Sequence, residues 1–444
     1  MSDQPSWSDD EAVEGHISDS QDEQDIIEDE DDIQLRTTCG EKEDKERILE
    51  DAPDGSDNED ALSESSSVEY DQEPFETYQE RVKKLIHTRW PHVPEDDVQV
   101  ERMSGGQYNR IIGVSFNDST KDDKVLKYIL RIQRFAEHPL AEDLAPLLFL
   151  ASRTDINVPK LIAYDTSTNN SLESTYMIQE RIPGGKLLYN YPEMSHRGRC
   201  AAARQLGHFY SQLLSVTESR IGTITASDAG MTDQWEYEVQ ALKPEIVRVR
   251  IDEPLNSSAG KSTLETIKNV LNYRFDQAIE QNCIYDINHT KSMIDMLQDV
   301  DDRGFLADVP ITLCHMDLEL YNILADPENE DEPVSAVLDW DSAIFAPAII
   351  ACKPPMWLWA WKEGEDEDER EANKVPESTE NQELKKIFED AAGPLYVRLA
   401  YGTGNRLTRQ LVWFALYGMH SNEQADEADA MLKEWLEFKQ VSSH

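Results

Sequence analysis

Apolar positions first fall into a regular pattern between Phe75 and Trp90. Tyr78, Val82, Leu85 and Ile86 recur there at helical spacing, and Pro91 ends the run. Strand-like runs follow at Val98–Met103, Ile111–Phe116 and Val125–Ile132. The spacing predicts a helix over Leu140–Ser152 and further strands at Leu161–Tyr164 and Tyr176–Gln179. A sheet with one helix packed on it is the economical arrangement. Beyond Pro183-Gly184-Gly185 the pattern turns mostly helical. Leu206, Phe209, Tyr210, Leu213 and Leu214 make one stripe along Arg199–Ser215. Helices are also predicted over Ser262–Gln281, His289–Gln298, Gln382–Ala391, Arg406–Tyr417 and Gln424–Phe438, with short β-like pieces at Ile311–Leu313, Ile323–Ala325 and Ser335–Leu338. Lys362–Ser378 reads as a charged surface insertion, a solvated loop or a short helix.

Composition changes this picture at one end of the chain. Hydrophobic residues make up 39% of the 444, enough for a real core, but the formal net charge is −47. Residues 1–74 hold 28 acidic side chains against four basic ones, and runs such as Glu28-Asp29-Glu30-Asp31-Asp32 predict a disordered tail. Three parts follow: this tail, a sheet-rich lobe over 75–180 and a helical lobe over 181–444. The tail reads either as a solubilising arm or as a docking arm for a protein partner. Ser8 and Ser18 in acidic surroundings suit an acid-directed protein kinase, and Ile26, Ile27 and Ile33 offer apolar grip. An acidic chain is repelled by nucleic acid and by anionic membrane surfaces, so neither is expected as a partner. No stretch approaches the roughly 18 apolar residues of a membrane span. The acid-rich first thirty residues are unlike a secretory signal or transit peptide, so cytosol or nucleus is the expected compartment. Five scattered cysteines give no zinc or disulfide pattern.

The densest chemistry lies in Cys314-His315-Met316-Asp317-Leu318-Glu319-Leu320-Tyr321-Asn322-Ile323-Leu324, followed by Val337-Leu338-Asp339-Trp340-Asp341. Phosphoryl transfer needs an aimed hydroxyl and metal ions on the phosphates rather than covalent help. A carboxylate and an amide five residues apart across a tight loop can supply both. Asp317 takes or orients the acceptor's proton, Asn322 ligates one Mg²⁺, and Asp339 bridges metal to phosphate through hard oxygen. His315 holds the loop by hydrogen bonding. Gly105-Gly106, after Ser104, lets backbone amides approach a phosphate with no Cβ between, or makes a plain hairpin turn. Trp357, Trp359 and Trp361 read as packing near the mouth of the site. Gly260-Lys261-Ser262 lacks the first glycine of a phosphate-binding loop, Leu255 standing in its place.

With these motifs in order, the chain resembles the aminoglycoside phosphotransferase-like (choline kinase-like) family, as a fungal-type member of unassigned substrate. The series is Ser104 to Arg110, Ile129-Leu130-Arg131-Ile132, Val158-Pro159-Lys160, Met177 to Gly184, the His315–Asn322 loop and the Leu338–Asp341 stretch. The likeness runs from about Phe75 to Tyr417. It implies an α+β, two-lobed protein-kinase-like fold, with a small β-sheet lobe carrying one packed helix and a larger, mostly helical lobe. It also implies ATP as donor, Mg²⁺, and a small-molecule hydroxyl as acceptor. Arg131 stands where kinases carry a phosphate-gripping Lys, a change that keeps charge but not shape. Asp143 is its expected partner, with Glu142 close behind. Gln179 to Ile182 is the expected linker, whose backbone pairs with adenine, unless it is a buried strand leading to a turn. Asp341 either faces the acceptor or solvates the loop, and Glu319 either meets a cationic acceptor or sits at the surface. The alternative to an active kinase is a pseudokinase-like nucleotide-binding or scaffold protein acting through its acidic tail. A protein kinase is disfavoured, because Trp340-Asp341 replaces the usual Phe-Gly after the metal-binding Asp.

Overall fold

The computed structural model describes residues 73–441 except 104–108, 119, 121–123, 135–138, 228–235, 243–261 and 361–367. The acidic tail, with its two serines and three isoleucines, therefore lies outside the described residues. So do Ser104, Gly105 and Gly106, Gly260-Lys261, and Trp361.

Helix α1 (Phe75–Arg89) comes first, then β1 (Gln99–Arg102), β2 (Asn109–Asp118), β3 (Lys124–Gln133), α2 (Leu140–Arg153), β4 (Leu161–Asp165) and β5 (Tyr176–Glu180). The five strands pair antiparallel in the order β1-β2-β3-β5-β4. The helix that covers this sheet's apolar face is α1. Val82, Leu85 and Ile86 pack there on Ile112, Val114, Leu130 and Ile178. Trp90 stacks on Tyr128 at 5.7 Å to close the cluster.

Helix α2 has a different duty. Its Leu144, Leu147, Phe149 and Leu150 join a second core with Phe345, Trp340 and Leu313, and Met177 of β5 joins it too. The helix is apolar around most of its circumference, which suits an element wedged between layers rather than laid on one.

Beyond Gly184 come β6 (Gly185–Lys186), α3 (His196–Ser215), β7 (Thr217–Glu218), β8 (Gly222–Ser227), β9 (Glu236–Ala241), α4 (Thr263–Glu280) and α5 (Ile284–Asp302). Then follow β10 (Ile311–Cys314), β11 (Ile323–Ala325), β12 (Val334–Val337), β13 (Ile344–Pro347), α6 (Thr379–Ala400), α7 (Thr403–Tyr417) and α8 (Asn422–Val441). Gly184 sits at φ 112, and a Cβ there would meet the Ala325 carbonyl oxygen at 2.7 Å, so only glycine lets β6 reach β11.

The helices match the apolar stripes, but a second five-stranded sheet, β7-β10-β13-β8-β9, was not expected. Its strands are two to six residues long; β10 was expected, as Ile311–Leu313, and the others are too short to show alternation above the helical background. A smaller sheet runs β12-β11-β6. Helices α3 and α6 pack closely, because Gly207 leaves room for the Phe388 carbonyl and the Ala391 side chain. Ser262 starts α4 with a full capping box to Glu265. The charged insertion is partly anchored: Glu369, in a 3-10 turn at Glu369–Asn373, pairs with buried Arg409 at 2.6 Å. The fold is α+β, a small sheet lobe followed by a larger, mostly helical lobe.

Candidate active site

Strand β10 lies inside the second sheet, between β7 and β13, and delivers the chain to His315 from a buried Cys314. The loop then closes in a 3-10 turn, Leu320–Asn322, and leaves as β11. Pairing of β11 with β12 sets Ile323 opposite Val337, so the ends of the loop and of β12 meet. There the Leu338 amide donates to the Asn322 carbonyl at 2.7 Å.

The Leu338 carbonyl takes a second bond, from His315 Nε2 at 2.7 Å. A carbonyl only accepts, so Nε2 carries the proton and Nδ1 is free to accept from the Asp317 amide at 3.3 Å. Burial holds this imidazole below its ordinary range, which keeps it neutral. Its ring also lies 4.5 Å from that of Trp340, whose indole N–H donates to Val337.

Both oxygens of Asp317 are engaged. Asn322 Nδ2 donates to Oδ2 at 3.0 Å and to the Asp317 backbone carbonyl at 2.8 Å. The Tyr321 hydroxyl donates to Oδ1 at 2.9 Å. Burial and that bond raise the Tyr321 phenol above its usual range, with the Asp339 charge adding to the effect. Two non-glycine residues here adopt left-handed backbone, Met316 at φ 69 and Asp339 at φ 60, ψ 57. Such a conformation costs on the order of 1 kcal/mol and concentrates where a side chain has to be aimed.

Arg131 reaches this group from β3, 210 positions away in sequence. Its guanidinium bonds Asp341 and lies 3.7 Å from Asp339. The expected pairing with Asp143 is displaced. Asp143 accepts from Gln133 Nε2 at 3.0 Å and acts on Arg131 only through its charge. The shorter Asp side chain on α2 falls behind, and Asp341 fills the gap. Asp341, partly exposed, is held by this ion pair rather than simply solvating the loop. Burial lifts its carboxyl, against the pull of Arg131. Arg131 Nε and Asp341 Oδ1 are buried and have no hydrogen-bond partner. Two unsatisfied polar atoms of opposite kind on the two members of one ion pair are a departure from ordinary interiors, where buried polar groups are bonded.

The donor set fits a hard cation as well. Asn322 spends its amide hydrogens on Asp317, which leaves Oδ1 for a metal. Asp339 keeps its carboxylate about half exposed. Oxygen donors of this kind are what Mg²⁺ takes.

The other predicted positions are more dispersed. Gln179 is buried inside β5, opposite Ile129 on one side and Leu161 on the other. The Glu180 and Arg181 amides go to Lys160 and Lys127, so much of the expected linker backbone is spent inside the sheet. Ile182, half-buried, is where the chain leaves that sheet. Glu319 pairs with Lys353 at 3.4 Å on the surface. Trp357 packs on Tyr191 and Trp359 on Phe388, both buried. Sequence reasoning missed Tyr321 and Leu338. Tyr321 lay inside the motif and was passed over, whereas Leu338 works through its backbone and leaves no side-chain signal.

Among the described residues, no helix is long and apolar enough to cross a membrane. A family model described as "Phosphotransferase enzyme family" matches residues 100–372, more than half of the chain. The chain is similar to "Altered inheritance of mitochondria protein 9, mitochondrial" of Debaryomyces hansenii, 28% identical over 153 residues, 32% of this chain and 24% of that protein. The protein of that name from Candida dubliniensis is 27% identical over 131 residues, 28% and 21% of the two chains. The chain thus spans about a quarter of the length of the curated relatives it matches. Similar solved structures include the GDP and kanamycin complex of APH(2")-IIia, with TM-score 0.43 and 14% identity over 79% of this chain and 96% of that one. Another is the streptomycin-ATP-APH(2")-IIa ternary complex, at 0.45 and 11% over 82% and 97%. Likeness that loose carries no argument about function. The sequence match over 100–372 carries the assignment, and by it this chain belongs to the phosphotransferase enzyme family.

Proposed function

We propose that the protein moves the γ-phosphate of ATP to a hydroxyl of a small molecule, with Asp317 as the base and Mg²⁺ held by Asn322 and Asp339. The observation that supports this best is the hydrogen-bonded chain from Asp317 through Asn322 and the Leu338 backbone to His315, which holds Asp317 and Asn322 beside the segment that carries Asp339. The acceptor hydroxyl gives its proton to the Asp317 carboxylate as it attacks. Tyr321 and Asn322 fix the direction of that carboxylate, and neutral His315 holds the loop without taking part in proton transfer. Bound Mg²⁺ neutralises charge that builds on the transferring phosphoryl oxygens. Arg131, whose guanidinium lies beside Asp339 and Asp341, supplies positive charge for the phosphates. Ser104, Gly105 and Gly106 add amides, and Gln179 to Ile182 border the base. On this reading the donor lies against residues 75–180 and the acceptor against 181–444.

The test is Asp317→Asn, a change that keeps an acceptor for Tyr321. Transfer of labelled γ-phosphate, to a panel of amino alcohols, sugars and aminoglycosides and to water, should fall by roughly 10²–10⁴. Stabilisation by ATP and Mg²⁺ in a thermal melt should persist. Turnover near the wild-type rate would remove Asp317 from its role.

A second reading, a nucleotide-binding or scaffold protein without turnover, is favoured by one observation. Arg131 is bound to protein carboxylates, and Asp143 is bonded to Gln133. A wild-type melt unmoved by millimolar ATP and Mg²⁺ would decide for a scaffold, since a ligand of the native state must raise apparent stability.

A further inference from the structure

A second cluster of donor atoms lies away from that pocket, at the start of two neighbouring helices. His196 is the first residue of α3, Cys200 lies one turn on, and Glu383 faces both from α6. We propose that His196, Cys200 and Glu383 form a binding site for zinc, or a similarly borderline-soft divalent cation, that pins the beginnings of α3 and α6 together.

The donor spacing is the argument. Tetrahedral zinc holds nitrogen and oxygen at ~2.0–2.2 Å and sulfur at ~2.3 Å, which makes the nitrogen–oxygen edge about 3.3 Å and the nitrogen–sulfur edge about 3.5 Å. His196 Nε2 lies 3.0 Å from Glu383 Oε2 and 3.5 Å from Cys200 Sγ. All three donor atoms fall within 4.8 Å of one another. A plain His–Glu ion pair explains the first distance but does not require a sulfur on the same ring nitrogen. Imidazole, thiolate and carboxylate together are a set that zinc accepts, whereas magnesium and calcium leave thiols aside.

The surroundings suit a structural clamp. His196 and Glu383 are partly open to solvent, which gives a cation a way in and leaves the fourth position to water. Burial, with the Glu383 charge beside it, pushes the Cys200 thiol up, so the metal-free chain carries the thiol. Binding then replaces S–H by S–metal, and the proton goes to solvent. The same two helices meet closely again at Gly207, so a cation at their starts extends a contact that packing already makes.

Cobalt(II) is the probe, because a thiolate ligand gives it a near-ultraviolet charge-transfer band that oxygen ligands do not. The chelator-stripped full chain should bind one equivalent with that band, and zinc should displace it. Divalent ions held by Asn322 and Asp339 give no such band, having no sulfur. Cys200→Ser should abolish the band, and Glu383→Gln should weaken zinc binding by about tenfold or more. Zinc should raise the melting temperature of the wild type and not of Cys200→Ser. Circular dichroism of each variant in chelator checks that the fold is intact, and Cys200→Ala serves as a second removal of the sulfur. No band in the wild type, or a band unchanged in both Cys200 variants, overturns the proposal. Phosphotransfer can fail without touching this result, and the reverse also holds.

Discussion

His315 illustrates how much one side chain can do without reacting. It spans the two carboxylate-bearing segments through Leu338 and the Asp317 amide, and it stays neutral because burial disfavours its charged form. Its folded pKa is therefore below the unfolded value of about 6.5, and the unfolded chain takes up the extra proton as pH falls. The stabilisation is full above about pH 6.5 and fades below it. Melting temperatures of the wild type and His315→Gln should accordingly diverge least in mild acid and most near pH 7.5. Parallel curves for the two chains would contradict that account. At this scale the loop was legible because its groups lie within eight residues, so their spacing alone brings Asp317 and Asn322 onto one turn. Arg131 and Asp341 were not. An ion pair across 210 positions leaves no periodicity, and the shorter Asp143 drew attention to the wrong carboxylate.

Among the elements, the contact between α3 and α6 is a sharp target. A Cβ at Gly207 would stand 2.6 Å from the Phe388 carbonyl oxygen and from the Ala391 side chain, and backbone cannot step aside cheaply. Gly207→Ala should therefore destabilise by ~1–3 kcal/mol, read from urea unfolding. A neutral result would mean that the helices can slide. The helices were legible because each carries a long apolar stripe, as in α3 and α7. The second sheet was not, since Thr217–Glu218 and Ile344–Pro347 are too short to show a period and take their places only through partners. Helix α2 was found in sequence, but the layer it joins was not. Its periodicity marks it as buried without saying against what.

Across the whole molecule, the link between Arg131 and Asp341 joins the sheet lobe to the helical lobe. Asp341→Ala leaves Arg131 with Asp339 at 3.7 Å, so it should cost about 1–3 kcal/mol, while a paired apolar replacement of both should cost less. Equal losses for the single and the double variant would show that the pair is not coupled. The position of α2 carries this further. Leu144, Leu147 and Leu150 lie in sequence between strands of the first sheet, yet they wall the core of the second lobe. Each such leucine is worth about 1.5–3 kcal/mol when kept from water. A gene fragment covering 75–180 should then yield a sticky, aggregating product, and one covering 181–444 a chain with an open seam. Co-expressed, the two halves should rescue each other, with α2 as the tongue that fits the groove.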